Sequence, residues 1–190
     1  MTQNRLPGKF SEIGGMYPAH LLISQDELTA MVQRLGKQIT EDYCGKQILL
    51  VSILKGSFIF CSDLVRAIDL PTTVEFMACS SYGDGTSSSG KVKIIKDLDC
   101  DIKDKHVILV EDIVDTGLTL SKLKEVLSLR HPASLKICTA FDKPVKRKVE
   151  LHPEYVGIEV PDEFIIGYGL DYQNYYRNLS EIYAARPVEN

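Results

Sequence analysis

The chain has 190 residues, 44% of them hydrophobic and 25% charged, with a formal net charge of -4. That is the balance of a globular chain long enough for one domain with a modest appendage. The acidic charge speaks against a broad surface for nucleic acid or for an anionic membrane, though it permits a local basic pocket. No apolar run is long enough to cross a bilayer, and the opening MTQNRLPGKFSEIGG lacks the apolar core of a signal peptide, so the expected location is the cytoplasm.

Five cysteines, Cys44, Cys61, Cys79, Cys100 and Cys138, are widely spaced with no C-x-x-C among them, and read as reduced thiols. His20, His106, His131 and His152 are equally scattered, so a structural zinc site is not expected.

Residues 1–23 are punctuated by Gly and Pro and give little periodicity. Ser24 followed by Glu27 is a capping box, and Leu28, Met31, Val32, Leu35 and Ile39 form one helical stripe to about Tyr43. Ile48 to Ile53 then reads as a buried strand, and Leu54-Lys55-Gly56-Ser57 turns it into a helix carrying Phe58, Ile59, Leu64, Val65 and Ile68. Pro71 closes that helix, and Thr72 to Ser80 returns as a strand, completing a β-α-β unit. The turn at Lys55-Gly56 sits at a strand's carboxyl end, where open parallel sheets bind ligands; a plain βα turn with an exposed Lys explains it equally well.

Ser81 to Lys91 is small and polar apart from Tyr82, and reads as a mobile loop that is either a spacer or an active-site lid. Gly85-x-x-x-x-Gly90-Lys91 falls one residue short of a P-loop, because Val92 stands where a Ser or Thr is needed. Val92 to Ile95 alternates like a strand. A charged connection follows, Lys96 to Lys105.

His106 to Leu120, HVILVEDIVDTGLTL, is the stretch around which the chain is organised. Val107 to Val110 suits a strand buried on both faces, which Glu111 and Asp112 end; Asp115, Thr116, Gly117, Leu118 and Thr119 form a tight turn, and Leu120, Leu123, Val126 and Leu127 recur at helical spacing. Strand, turn and helix in that order make an anion site, because the first N–H groups of the helix are unpaired and lie at the positive end of its dipole. Gly117 admits a phosphate closely, while Thr116 and Thr119 add hydroxyl donors. Three carboxylates beside an anion site make chemical sense if they serve sugar hydroxyls, a proton or a divalent cation.

Beyond this stretch, Ser134 to Phe141 reads as a strand followed by Asp142-Lys143-Pro144. Lys146, Arg147 and Lys148 form a short basic run of the kind usually found in a solvated turn. Tyr155 to Val160 is a further strand, Gly167 to Tyr172 a glycine-bracketed loop with an acid and Arg177 beyond it, and Glu181 to Ala185 a last strand. The whole reads as α/β, a parallel sheet flanked by helices.

VILVEDIVDTGLT resembles the phosphoribosyl diphosphate motif of the type I phosphoribosyltransferases. LLVSILKGSFIFCSDL, MACSSYGDGT, KIIKDLD, ICTAFDKP, VGIEVPDEFIIGYGLDY and YYRNL, in order between Leu22 and Tyr183, resemble the 6-oxopurine group of that family, the bacterial hypoxanthine phosphoribosyltransferases. The resemblance implies one domain over residues 1–190: a central parallel sheet flanked by helices (about 24–142), a small hood from the N-terminal segment and about 143–190, and a flexible active-site loop. It implies transfer of a phosphoribosyl group to hypoxanthine, and to guanine, in purine salvage. It further implies Mg²⁺, small-molecule substrates only, no nucleic acid or membrane partner, and a homodimer or homotetramer.

By position, the resemblance gives Glu111 and Asp112 to the ribose hydroxyls, Asp115 through Thr119 to the 5′-phosphate, and Asp115 also to N7 of the base as general base. Lys143 would donate to the 6-oxo group, Phe164 would stack on the purine, and the main chain at Ile165 would meet the far edge of the ring. Asp171, with Glu111 and Asp112, is the candidate Mg²⁺ set. Arg177 and the backbone at Lys55-Gly56 would grip pyrophosphate, and Ser81-Tyr82 would close as the lid. Leu118 departs from relatives with a basic or polar side chain there, so phosphate affinity would rest on N–H groups and hydroxyls alone. Three alternatives stand beside this reading: a nucleotide-responsive RNA- or DNA-binding regulator on the same fold, a transferase for xanthine or a pyrimidine, and a nicotinamide-binding domain. The last lacks any G-x-G-x-x-G after a strand.

Overall fold

The computed structural model describes residues 13–81 and 92–188. In chain order its elements are β1 (Met16–Ile23), α1 (Gln25–Asp42), β2 (Ile48–Leu54), α2 (Phe58–Ala67), β3 (Thr72–Ser81), β4 (Val92–Lys96), β5 (His106–Val114), α3 (Leu118–Ser128), β6 (Ser134–Asp142), a short 3₁₀ turn (Pro144–Lys146), β7 (Tyr155–Glu159), β8 (Ile165–Ile166) and β9 (Ile182–Pro187).

The main sheet has the order β4-β3-β2-β5-β6-β7, parallel except for the antiparallel pairing of β3 with β4 at one edge. Residues 48–51 of β2 and 107–110 of β5 are continuous apolar runs, as strands covered by helices or loops on both faces require. On one face α1 and α2 pack Leu28, Leu35, Ile39, Phe60 and Leu64 against Leu50, Ile108 and Val110. On the other, Leu120, Leu123 and Leu127 of α3 and Ile102 of the preceding connection cover Leu49, Val51, Leu109 and Ile137. The capping box at α1 is formed: Ser24 accepts from the Glu27 amide, and the Glu27 carboxylate accepts from Ser24 N–H at 2.8 Å.

From β2 the chain moves outward to β3 and β4, then returns to place β5 on the other side of β2. The reversal leaves a crevice at the carboxyl ends of β2 and β5, the usual ligand position in open α/β sheets. Over it lies a three-stranded antiparallel sheet of order β1-β9-β8, packed by Ile166, Tyr176, Leu179, Tyr183 and Ala185.

The structure corrects the sequence reading in several places. β1 and β8 were not legible as strands: β1 begins at the Met-Tyr-Pro of a Gly-rich stretch, and β8 has only two residues, each held by partners on β9 far along the chain. The stretch from about 143 onward divides, because β7 joins the main sheet beside β6 while β8 and β9 build the cover. β5 runs on past Glu111 and Asp112 to Val114, since its ladder with β6 continues through Val114 and Asp142. The lid expected over Ser81 to Lys91 lies outside the described residues, apart from the backbone of Ser81 at the end of β3.

Candidate active site

Glu111 and Asp112 are successive residues of one strand, so their carboxylates leave opposite faces. Glu111 lines a cavity of about 270 Å³ together with Cys79, Asp115, Thr116, Gly117 and Thr119. Asp112 turns toward the end of β2, where a Cβ on Gly56 would fall 1.4 Å from its Oδ2. Gly56 is therefore required by the close approach of that carboxylate.

Both acids are held in costly surroundings. Burial pushes Glu111 well above the ordinary carboxylate range, and the charge of Asp112 adds to it; Glu111 Oε2 is buried with no hydrogen-bond partner. Burial likewise pushes Asp112 up to about 6, against the pull of the Ile113 amide, which donates to it at 2.7 Å, and of the Arg177 guanidinium. Asp171 opposes Arg177 by adding a second negative charge nearby. The orphaned Glu111 oxygen on the cavity wall is an acceptor awaiting a donor, which a sugar hydroxyl or a cation would supply.

The turn after β5 differs from the sequence reading by where its helix starts. Gly117 takes a left-handed conformation, φ 77°, as the N-cap, so α3 begins at Leu118 rather than at Leu120. Leu118 N–H makes only a long contact, 3.4 Å, to Thr116 Oγ1, and the first helical bond comes from Ser121 N–H to Gly117 O. The amides opening α3 thus face the cavity mouth with the helix dipole behind them.

Lys143 follows β6, and its ammonium is buried, donating to the Glu163 main-chain carbonyl at 2.7 Å. Its amide donates to Val114 O at 2.9 Å. Phe164 is 50% exposed, an uncovered ring set edge-on to Tyr172 with centroids 6.0 Å apart; Ile165 beside it is buried at the start of β8.

Arg177 is pinned by Gly169 O at 2.7 Å and by Asp171 at 2.6 Å. Lys55 Nζ reaches Asn174 Oδ1 at 3.3 Å, and Arg177 approaches the same oxygen at 3.5 Å. A Cβ on Gly169 would meet Gly56 O at 2.1 Å, so the 167–179 loop packs directly on the β2 turn. The structure thus brings Lys55, Gly56, Asp112, Asp171 and Arg177 to one side of the crevice. Among the described residues, no group of three or more His, Cys, Asp or Glu converges as a metal cage. The opposite facing of Glu111 and Asp112 explains this for the expected trio.

Sequence reasoning missed four neighbours. Asn174 bridges the two cations from a left-handed backbone, φ 69°, which Asn tolerates better than most residues. Tyr172 backs Phe164, and Cys79 lines the cavity. Arg147, read as part of a solvated turn, has a side chain only 14% exposed and ion-paired with Asp142. Only Asn174 carried a signal, its place three residues after Asp171, just past the glycine-bracketed loop.

The chain matches the model of the phosphoribosyl transferase domain family over residues 24–173. It is 53% identical over 165 residues to the hypoxanthine phosphoribosyltransferase of Haemophilus influenzae, covering 85% of this chain and 92% of that protein. With the Escherichia coli K12 hypoxanthine phosphoribosyltransferase the identity is 49% over 168 residues, 87% of this chain and 94% of the relative. A crystal structure of a hypoxanthine-guanine phosphoribosyltransferase from Bacillus anthracis superposes with a TM-score of 0.85 at 45% identity, covering 90% of this chain and 99% of that one. With the fold, the phosphate turn and this similarity over most of its length, the chain belongs to the phosphoribosyltransferase family, within its hypoxanthine and hypoxanthine-guanine group.

Proposed function

We propose that the chain transfers the 5-phosphoribosyl group of phosphoribosyl diphosphate to hypoxanthine, and to guanine, giving the nucleoside monophosphate and pyrophosphate. One observation carries the reading. Val114 faces Asp142 in the parallel ladder of β5 and β6, so the next residues, Asp115 and Lys143, leave neighbouring strands at the same level. The strand ends thus put at one backbone level a carboxylate that can take a proton and an ammonium that can donate to an oxo group, the pairing that a purine with N7 and O6 on one edge would require.

The phosphate of the sugar would sit at the amides of 115–119, with the hydroxyls of Thr116 and Thr119 as further donors. Glu111 and Asp112 would accept from the ribose hydroxyls, ending the orphaning of Glu111 Oε2. The base would lie on the uncovered face of Phe164, with the main chain at Ile165 along its far edge. Lys143 would exchange the Glu163 carbonyl for the 6-oxo group. Adenine offers an amino group there, which leaves a buried ammonium unpaired and explains rejection.

As C1′ parts from pyrophosphate, negative charge grows on the leaving side, where Arg177, Lys55 and the amides near Gly56 would receive it. Asp115 would hold the proton released from the base nitrogen. Mg²⁺ fits the donor chemistry: it prefers one or two carboxylates plus ligand oxygens to an all-protein cage, so Asp171 and Asp112 on one side and Glu111 on the other are its candidate holders. When bound it would neutralise charge on the diphosphate. Ser81 and Tyr82 are the proposed lid, and a homodimer or homotetramer the proposed assembly. Among the described residues no helix is long and apolar enough to cross a membrane, and we assign the protein to the cytoplasm.

The test is to mix the purified chain with phosphoribosyl diphosphate, Mg²⁺ and, separately, hypoxanthine, guanine, xanthine, adenine and uracil, and to detect nucleotide by mass spectrometry. Inosine and guanosine monophosphates are the expected products; adenosine or uridine monophosphate, or none, overturns the assignment. Asp115→Asn should lower turnover at least ~100-fold while calorimetry shows phosphoribosyl diphosphate still bound; full activity removes Asp115 from the chemistry. Lys143→Ala should weaken base binding by roughly 1.5–3 kcal/mol and that of the phosphorylated sugar far less, and the opposite order contradicts the role given to Lys143.

A further inference from the structure

The turn proposed to hold the 5′-phosphate has no cation of its own. Asp115-Thr116-Gly117-Leu118-Thr119 carries one acid and no base, and Glu111 shares its cavity. Two exposed cations border it: Lys146, whose charge reaches Asp115, is paired with Asp162 at 2.9 Å and screened by solvent, and Lys148 meets the turn through its backbone while its side chain is exposed. A different cation lies against the turn. The Arg147 Cδ is 3.0 Å from where a Cβ on Gly117 would stand, with Val149 and Leu151 packed around the same point at 3.2 and 3.3 Å.

The segment that carries Arg147 is tied to the turn at both ends, by Lys143 N–H to Val114 O at 2.9 Å and by Lys148 N–H to Thr116 O at 3.0 Å. The guanidinium donates to Leu151 O at 2.9 Å and to the Asp142 carboxylate, while its Nε is buried with no partner. A buried guanidinium with one donor unspent, braced against a glycine of an anion-binding turn, is more than a solvated basic run requires.

Resting on the function proposed above, we propose that Arg147 is the cation of the 5′-phosphate subsite. It acts through the turn as a positioning residue: its stem sets the height of Gly117, and its charge offsets the surrounding carboxylates. Asp142 tempers that charge and aims it. Two substitutions therefore have opposite signs. Arg147→Met leaves Asp142 as one more anion beside the turn. Asp142→Asn keeps an oxygen to hold the guanidinium but removes the opposing charge.

The experiment measures, by calorimetry, the affinity for inosine 5′-monophosphate and for pyrophosphate, and KM for phosphoribosyl diphosphate, in the wild-type chain, Arg147→Met, Arg147→Lys and Asp142→Asn. Arg147→Met should bind the monophosphate about tenfold more weakly, about 1.4 kcal/mol, and raise that KM similarly, with pyrophosphate affinity unchanged. Arg147→Lys should recover most of the loss, and Asp142→Asn should bind the monophosphate at least as tightly as wild type. Unchanged monophosphate binding in Arg147→Met overturns the proposal. So does an equal loss for monophosphate and pyrophosphate, or weakening by Asp142→Asn, since both describe a loosened fold instead. Failure of the wild-type chain to bind the monophosphate at all would instead overturn the proposed function.

Discussion

The amide of Lys143 donates to the carbonyl of Val114, extending the β5–β6 ladder one step past its last paired residues. Much of the crevice depends on that step. It sets the residue proposed to meet the purine oxygen level with the residue proposed to meet its nitrogen. It also starts the 143–151 segment in the direction that brings Arg147, Val149 and Leu151 against Gly117. Base recognition and phosphate recognition are thereby parts of one backbone framework, and a shift in strand register would disturb both together.

Electrostatics on that framework divides the crevice. On one side Lys55, Arg177, Asp112 and Asp171 interlock, with Asn174 lying between the two cations. The contacts of Asn174 are long and bring the cations no counter-charge, so an incoming polyanion can replace them at small cost, whereas the Asp171 bond holds Arg177 in place. On the other side Glu111 has an orphaned oxygen beside the amides that open α3. The free protein carries desolvated acids that a ligand rich in hydroxyls would relieve, a use of strain typical of functional sites.

The main sheet was legible because its strands are apolar runs and its helices have one stripe each, signals that survive without knowledge of partners. The phosphate turn was legible because strand, Gly and paired hydroxyls occur together in fifteen residues or so of sequence. β8 was invisible, since two residues have no period, and β1 was hidden by its Gly-rich approach. Arg147 was misread because burial of a charged side chain comes from tertiary contacts with Asp142 and Leu151, which a run of Lys-Arg-Lys cannot announce. Placing Lys143, Phe164, Asp171 and Arg177 rested on family resemblance; in the fold Lys143 bonds the carbonyl of Glu163, next to Phe164, and Arg177 pairs with Asp171.

We propose that a phosphate sits at the opening of α3, held by main-chain amides. An amide nuclear magnetic resonance titration tests it directly by comparing inosine 5′-monophosphate with inosine, which differ only in that phosphate. The monophosphate should shift the amides of residues 115–119 more than any others outside the base contacts, and inosine should leave them nearly unmoved. Amides 115–119 that respond equally to both, or to neither while the monophosphate binds elsewhere, would contradict it.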